Sequence, residues 1–275
     1  MVEPSSAEFA VRAYRVDDGE DCRKKVIGEA VCNLIVNGQE WVTFFCTPSD
    51  LEYLAIGFLF DAGVIEGADE VENVRVTSGR QSLEALVEVT LRRKDVDLPS
   101  RSTLTSGCGG GLTFYDVAAK RSPLDSDLKI TPTQVYDAMH QLLTANADLH
   151  HDVGGFHSAA LSDGQELLFV AHDVGRHNTV DKIAGAALSR GIALRDHLLV
   201  TTGRVSTEML AKAARMGVPI VISRNSPTAM AVNLAREWQI TIAGYVRGHR
   251  MHVYSAEERI ALPLPQASGV GSEHP

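Results

Sequence analysis

The second half of the chain alternates between short apolar runs and segments whose apolar residues recur at helical spacing. Strand–helix alternation with short connections predicts a largely parallel sheet covered by helices. The strands are predicted at 156–161, 166–171, 197–202, 218–222, 240–246 and 251–255, and the helices at about 177–189, 206–216 and 227–237. This half is therefore predicted to be an α/β domain.

A further helix opens this half at a sharply marked position. Thr131, Pro132 and Gln134 combine an N-cap, a proline at the first helical position and a capping-box glutamine. Its apolar face is predicted from Val135, Met139 and Leu142. We place the domain boundary near residue 130 and extend the second domain over 131–261. Residues 262–275 are rich in Pro, Gly and Ser and are predicted to be disordered.

The first half has a different pattern, which predicts a smaller α+β domain over 26–130 after an N-terminal lead-in of residues 1–25. Two β-rich apolar runs, 26–36 and 40–46, flank Asn37-Gly38, which is a strong hairpin signal. Two more strands are predicted at 71–77 and 83–91. The predicted order is β-β-α-β-β.

The helix of this first domain is predicted between the two pairs of strands. Thr47 is the expected N-cap with Pro48 at the first helical position, and Gly63 is the expected stop. The apolar positions that share one face at helical spacing are Leu51, Leu54, Ala55 and Phe58.

Composition narrows the function classes. The net charge of -9 argues against general nucleic-acid binding. No apolar run approaches the ~20 residues that span a bilayer, and the start shows no secretory signal. The four cysteines, at 22, 32, 46 and 108, lack the spacing of a zinc site or a disulfide scaffold, and core packing is expected for the first three. A reducing cytoplasmic location and no membrane association are expected.

Arginines recur where the predicted strands of the second half end. The motifs HDVGRHN, TTGRVSTE, SRNSP and YVRGHR contain Arg176, Arg204, Arg224, Arg247 and Arg250. Ser206 and Ser226 are the expected N-caps of the helices that follow two of them. In a parallel sheet these strand ends share one edge, where helix N-termini also favour anions. The predicted ligand is a nucleotide or a nucleotide-bearing cofactor, because one guanidinium group can form two parallel hydrogen bonds to phosphate oxygens.

Each arginine taken singly has a simpler interpretation, which is an ion pair with a nearby carboxylate such as Asp173, Asp181 or Glu208. His172 and His177 flank the first motif and are either phosphate donors or structural histidines. Asp173 is either a contact for a guanine or ribose edge or a helix cap. These alternatives stay open at the level of sequence.

One thiol, Cys108, stands among four glycines in TSGCGGG, within a predicted loop over about 101–112. Glycines let the backbone swing and approach a partner closely, and bare N–H groups favour thiolate. A thiolate attacks a donor sulfur, as in thiol–disulfide exchange. The alternative is a glycine-rich turn with an incidental cysteine.

Several segments resemble the FdhD family, sulfurtransferases that serve formate dehydrogenase. In the first half these are VNGQEWVTFFCTPSDLEYLAIGFLFDAGVI and GCGGG, and in the second HDVGRHNTVDKIAGAAL, GRVSTEMLAKAARMGVPI and IAGYVRGHRMHVYS. The resemblance covers about residues 26–261. It implies a cytidine-deaminase-like, three-layer α/β fold for the second domain, and a homodimer.

The resemblance also implies a sulfur relay. A cysteine desulfurase would load a persulfide on Cys108, which would pass the sulfur to the molybdenum cofactor, bis-molybdopterin guanine dinucleotide, before the cofactor enters formate dehydrogenase. It assigns cofactor contact to Tyr245, Val246, Arg247, Gly248, His249 and Arg250. The residues that we add from the strand-end motifs are Arg176, His177, Arg204 and Ser206.

The chain departs from the family pattern at two positions. Gly111 replaces the second cysteine of a CxxC motif, so an obligatory disulfide within the loop is excluded. Arg224 stands where the family pattern has a small residue. Zinc chemistry of the deaminase type is also excluded, because His157 does not begin a His-x-Glu motif and no cysteine follows Cys108. The alternative function is a non-catalytic chaperone that holds the molybdenum cofactor.

Overall fold

The computed structural model describes residues 6–16, 18–78, 84–99, 103–104, 112–113, 121–147 and 153–262. It is a mixed α/β protein with separate sheets in its two halves. The predicted tail, apart from Leu262, and Cys108 lie outside the described residues. Within the described part of the chain, no helix has the length and apolar character needed to cross a membrane.

The described part of the N-terminal lead-in belongs to an antiparallel ribbon. Its strands are β1 (Ser6–Arg15) and β2 (Asp18–Ile27). The predicted strand 26–36 is therefore wrong at its start, since β2 ends at Ile27 and the next strand, β3, covers Ala30–Val36. The reason is that the apolar residues Val26 and Ile27 belong to the ribbon.

The smaller sheet confirms the predicted β-β-α-β-β order. It contains β3, β4 (Gln39–Cys46), β5 (Val71–Ser78) and β6 (Glu84–Leu91) in the spatial order β4-β3-β6-β5. The β3–β4 turn has positive φ at both Asn37 and Gly38, as a two-residue hairpin requires.

Helix α1 (Leu51–Asp61) begins later than its predicted cap. Asp50, not Thr47, is the N-cap residue, so that prediction is wrong. Thr47 is held elsewhere: its N–H donates to Asp173 Oδ2 at 3.1 Å, and its hydroxyl accepts from the Val174 N–H at 3.2 Å. Helix α1 is followed by Gly63, whose φ of 74° fits a helix stop. The predicted apolar face of α1 is buried.

Between the two halves, β7 (Thr103–Leu104) pairs antiparallel with β8 (Leu112–Thr113). Residues 105–111, which contain Cys108, connect these two short strands. Leu104 and Leu112, which flank this segment in the sequence, are therefore paired.

The larger sheet is mixed, so the prediction of a largely parallel sheet is wrong. Its strands are β9 (His157–Ser162), β10 (Leu167–Asp173), β11 (Leu198–Thr201), β12 (Ile220–Ser223), β13 (Thr241–Arg247) and β14 (Arg250–Val253). Their spatial order is β10-β9-β11-β12-β13-β14, and only the pairs β11–β12 and β12–β13 are parallel. The β9–β10 and β13–β14 connections are too short for the crossover that a parallel pair needs.

Within the described ranges, four helices cover this sheet: α2 (Pro132–Ala145), α3 (Arg176–Ser189), α4 (Thr207–Met216) and α5 (Ala229–Glu237). The predicted capping box of α2 is present, with the Gln134 N–H donating to Thr131 Oγ1 at 3.3 Å. Two hydrophobic clusters flank the sheet; Val135, Met139 and Leu142 of α2 belong to one, and α3 and α4 contribute to the other. The finer, cytidine-deaminase-like arrangement stays a prediction.

Of the two N-caps predicted for α4 and α5, one is confirmed and the other is wrong. Ser206 caps α4 by accepting from the Met209 N–H at 3.4 Å, as predicted. The cap of α5 is Thr228, so the prediction of Ser226 is wrong. Ser226 instead precedes the bridge residue Pro227, and its carbonyl accepts from the Val205 N–H at 3.2 Å.

The two halves pack tightly through α1 and α3. A side chain on Gly57 would collide with the backbone of Asp181, and one on Gly185 would collide with the backbone of Tyr53. Close approach of the helix backbones therefore requires glycine at both positions. One hydrophobic cluster runs from the smaller sheet through α1 to the larger sheet.

Candidate functional site

The strand directions bring the predicted motifs to one edge of the larger sheet. Strands β10, β11, β12 and β13 all end at this edge, and β9 and β14 begin there. We call it the cationic edge. The predicted residues at its strand ends are Arg176, Arg204, Arg224, Arg247 and Arg250.

A first group of predicted residues meets beyond β10 and β11. Arg176 is 6% exposed and packs against Gly203, since a Cβ on that glycine would lie 3.0 Å from Arg176 Cβ. Burial lowers the pKa of His157, and the charges of Arg176 and Arg204 lower it further. This corner therefore carries positive charge from two arginines beside an uncharged histidine at neutral pH.

His177 lies behind these arginines and is also uncharged. Its Nε2 lies 3.3 Å from Ser206 Oγ and 3.2 Å from Glu208 Oε2. The Glu208 carboxylate favours the charged ring, but burial and the charges of Arg176 and Lys212 outweigh it and lower the His177 pKa to about 2. A buried, neutral ring suits hydrogen bonding within the site better than ion pairing.

We expect His177 to make the free energy of unfolding depend on pH. The unfolded ring takes up a proton below its ordinary pKa of about 6.5, whereas the folded ring does not, so stability is complete above that pH and falls as pH falls. The His177→Gln variant should lower the slope between pH 6 and 4 by up to ~1.4 kcal/mol per pH unit. Urea denaturation at several pH values measures this slope.

The control for this experiment is His140→Gln, since His140 is exposed on α2. That variant should retain the wild-type slope. An unchanged slope in His177→Gln would show that the ring is protonated in the folded protein and would contradict the assignment.

A second group of predicted residues lies on the turn between β13 and β14. Gly248 and His249 both have positive φ, 48° and 65°, and close a tight hairpin that sets Arg247 opposite Arg250. The ring of Tyr245 is 41% exposed, and the Arg247 guanidinium lies 5.9 Å from its centroid. An exposed aromatic ring beside guanidinium groups can stack on a planar base while the arginines bind phosphate.

Hydrogen bonds join the two groups through the turns after β11 and β12. Asn225 Nδ2 donates to the Thr202 carbonyl at 2.8 Å, and Arg247 Nη2 donates to Asn225 Oδ1 at 3.3 Å. Ser223 Oγ donates to the Gly203 carbonyl at 2.7 Å. These bonds fix the turns relative to one another, so the cationic edge is preorganised.

Two of the carboxylates proposed as simple partners of the arginines have other partners. Asp173 forms an ion pair with Lys182 at 2.7 Å, and Asp181 forms one with Lys212 at 2.6 Å. Across the described ranges, no ion pair is formed by four of the arginines, namely Arg204, Arg224, Arg247 and Arg250. All four are exposed, so their charge is directed at solvent or a ligand.

Two residues differ from their predicted role. Val246 is 2% exposed and packs in the core, so only its backbone can face a ligand at this edge. Asp173 is fully buried and accepts from the Thr47 and Gly175 N–H groups, so it is a structural residue rather than a contact for guanine or ribose.

Sequence reasoning missed His157 and Asn225. His157 begins β9, and it reaches the cationic edge only because β9 runs antiparallel to β11. Asn225 stands between Arg224 and Ser226, and its side chain gave no signal apart from its place in a strand-end motif. Among the described residues, no three His, Cys, Asp or Glu side chains group as a metal site would need.

Fold and site together define a class of protein: a mixed α/β protein with a preorganised, cationic strand-end edge suited to a phosphorylated ligand. The sequence profile of the FdhD/NarQ family matches residues 27–261. The chain therefore belongs to the FdhD/NarQ family.

Individual relatives agree with this assignment. The chain is 38% identical to the sulfur carrier protein FdhD of Bacillus subtilis, covering 91% of this chain and 97% of that protein. It is 34% identical to the protein of the same name from Listeria innocua, again covering 91% and 97%. The crystal structure of a candidate formate dehydrogenase accessory protein from Desulfotalea psychrophila is similar with a TM-score of 0.77 and 26% identity, covering 94% of this chain and all of that one.

Proposed function

We propose that this protein is a sulfur carrier for the maturation of formate dehydrogenase. Cys108 accepts sulfur from a cysteine desulfurase as a persulfide and delivers it to the bis-molybdopterin guanine dinucleotide form of the molybdenum cofactor. The relatives named sulfur carrier protein FdhD support the sulfur-carrier role. The family profile covers most of the chain, which supports the same role here.

The observation that carries the cofactor part of the proposal is the cationic edge. Its exposed arginines lack carboxylate partners within the described chain, so binding a phosphorylated ligand there breaks no ion pair of theirs. Tyr245 adds an exposed ring on which a guanine can stack. A guanine dinucleotide presents both phosphates and a planar base, and so matches both features.

The first chemical step is an attack by the Cys108 thiolate on the outer sulfur of the desulfurase persulfide. A new S–S bond forms at Cys108, the donor S–S bond breaks, and the desulfurase cysteine leaves as a thiolate. Delivery to the metal as sulfide consumes two electrons, supplied by the reduced metal or by two equivalents of an external thiol, which leave as a disulfide. Thereafter Cys108 is again free to accept sulfur.

The glycines around Cys108 suit a thiol that reacts with two partners in turn, first the desulfurase and then the cofactor. Without side chains, their N–H groups are open to the sulfur and favour its anionic form. The strands that precede and follow this segment in the sequence, β7 and β8, are paired with each other. Gly111 in place of a second cysteine removes the nearest thiol that could capture the loaded sulfur as a disulfide.

The test is the mass of the peptide that contains Cys108. After incubation with a cysteine desulfurase and cysteine, we expect this peptide to gain one sulfur atom, which a reducing agent removes. The peptides of the buried Cys32 and Cys46 should remain unmodified and serve as internal controls. An unmodified Cys108 peptide while the desulfurase turns over would overturn the proposal.

A further inference from the structure

His157 is a half-buried histidine at the first position of β9, where that strand begins at the cationic edge. Side chains alternate along a strand, so His157 shares one face of the sheet with Ala159 and Leu161. These two residues belong to the hydrophobic cluster to which α3 and α4 contribute. The His157 ring therefore lies on the α3 side of the sheet.

Backbone pairing places two arginines beside this ring. The Ser158 N–H donates to Thr202 Oγ1 at 3.0 Å, and the Thr202 N–H donates to the Ser158 carbonyl at 2.9 Å. These bonds hold the start of β9 against the turn after β11, which contains Arg204. Arg176, the first residue of α3, packs on Gly203 of the same turn. The histidine therefore has a guanidinium group from each of two other elements as a neighbour.

The charges that face His157 are mainly positive. Its cross-strand neighbour in β10 is Asp173, but that carboxylate is already paired with Lys182 at 2.7 Å. From α3, His177 also faces this corner, and burial keeps its ring neutral. Among the described residues, His157 forms no hydrogen bond and no ion pair. Its ring nitrogens are therefore available to a ligand.

The two arginines make the charge of His157 sensitive to an anion. Burial, followed by the charges of Arg176 and Arg204, lowers the pKa of His157, so the ring is neutral at pH 7 without a ligand. A phosphate group bound between the guanidinium groups offsets their charge. The bound state therefore favours the protonated ring, which donates a charge-assisted hydrogen bond to a phosphate oxygen.

We propose that His157, Arg176 and Arg204 form an anion subsite of the cationic edge, and that His157 takes up a proton from solvent when a phosphate group binds there. The inference rests on the proposed function for the identity of the ligand, which contains a diphosphate. Only β12 separates β11 from β13, so the ends of these strands are about 10 Å apart. One extended nucleoside diphosphate can therefore contact both this subsite and the turn that contains Arg247.

The test needs a probe that does not itself titrate. A terminal phosphate has a pKa of about 6, whereas a diphosphate that is esterified at both ends, as in the cofactor, has no such group. Guanosine diphosphate mannose meets this condition. Isothermal titration calorimetry in two buffers of different ionisation enthalpy measures the protons taken up per molecule bound.

For the full-length wild type, we expect proton uptake on binding and an affinity that increases as pH falls from 7 to 5. The increase should reach ten-fold per pH unit where one whole proton is taken up. The sign follows from a pKa that is higher in the bound state than in the unliganded state. Above both pKa values the ring is neutral with or without the probe, so the affinity should not change with pH there.

His157→Gln isolates the proton from other roles of the side chain. Glutamine retains polar contacts but does not titrate, so the variant should bind the probe as the wild type does at pH 8 and lose both the proton uptake and the gain at low pH. A merely structural role would change the affinity at every pH. The matched control is His140→Gln, at an exposed position of α2, which should retain wild-type proton uptake.

Nuclear magnetic resonance provides a second measurement on the same ring. The His157 signal is the histidine signal that is absent from His157→Gln, and its titration midpoint should rise when the probe is bound. The midpoint should also rise in Arg204→Ala without any probe, because one of the charges that lower it is removed. Arg204 is exposed, so this variant should fold.

The possible outcomes separate this inference from the proposed function. Binding without proton uptake would overturn the inference and leave the proposed function intact. Uptake that persists in His157→Gln and disappears in His249→Gln would assign the proton to the β13–β14 turn, and would also overturn it. Absence of binding at every pH would refute both the subsite and the cofactor part of the proposed function, whereas the sulfur part is tested separately by the mass of the Cys108 peptide.

Discussion

Replacing Cys108 by serine is expected to abolish the support that this protein gives to formate dehydrogenase. A hydroxyl of the same size cannot hold a transferable sulfur, so the loss should be complete rather than partial. The measurement is formate dehydrogenase activity in cells that lack their own copy of the protein and express either the wild type or the variant. The abundance of formate dehydrogenase polypeptide should be measured alongside.

The same variant separates the two candidate functions. A chaperone that only holds the cofactor needs the cationic edge but not the thiol, so Cys108→Ser would retain its activity. A sulfur carrier needs both. Full activity of Cys108→Ser would therefore refute the sulfur carrier and favour the chaperone.

The reciprocal variant is Arg247→Ala with Arg250→Ala. It should still accept persulfide sulfur on Cys108, but bind guanosine diphosphate about ten-fold more weakly for each guanidinium removed, because each charge-assisted bond to phosphate is lost. Cys108→Ser should bind guanosine diphosphate as the wild type does. Arg75→Ala, on the other sheet, is the control for the arginine changes.

The sequence predicted those parts of the fold that local chemistry decides. The capping box of Thr131 and Gln134 needs only residues three apart, and it is present as predicted. The hairpin at Asn37-Gly38 follows from the backbone freedom of two adjacent residues. Strand direction depends on pairing between distant segments, so the mixed sheet was mispredicted as largely parallel.

The residues of the candidate site also divide into those that the sequence predicts and those that depend on the tertiary fold. Strand-end arginines could be predicted, because the residues that follow parallel strands lie together at one edge of an α/β sheet. His157 could not, because the direction of β9 was not known from sequence. The cap prediction at Thr47 failed for a tertiary reason, since the Asp173 carboxylate and the Lys182 ammonium hold that residue across 126 and 135 positions of chain.

A buried ion-pair network between distant segments of the chain is important for stability. Lys212 of α4 lies 2.6 Å from Asp181 of α3 and 3.3 Å from Asp61 of α1, and all three side chains are buried. Burial raises the pKa of Asp181, while the two carboxylates keep Lys212 charged. This ion pair network joins the two halves of the chain.

We expect Lys212→Met to lower the free energy of unfolding by about 3–5 kcal/mol at pH 7, because two buried carboxylates lose the ammonium group with which both form ion pairs. Without that ammonium, the pKa of Asp181 rises further, so the folded state binds a proton that the unfolded state does not. The stability of the variant should therefore increase as pH falls from 7 to 5, by ~1.4 kcal/mol per pH unit for each carboxyl that is protonated only when folded. Urea denaturation at both pH values measures both effects.

Lys129→Met is the control, since Lys129 is exposed and its replacement should change stability by no more than about 0.5 kcal/mol. Adding Asp61→Asn and Asp181→Asn to Lys212→Met should recover much of the loss, because neutral amides need no cation. A loss in Lys212→Met that grows at low pH would contradict the argument, since it would mean that the carboxylates stay charged and find another cation. Recovery by the amides, with the exposed control unchanged, would identify the network as the ionic contact that fixes α1 of the first half against α3 and α4 of the second.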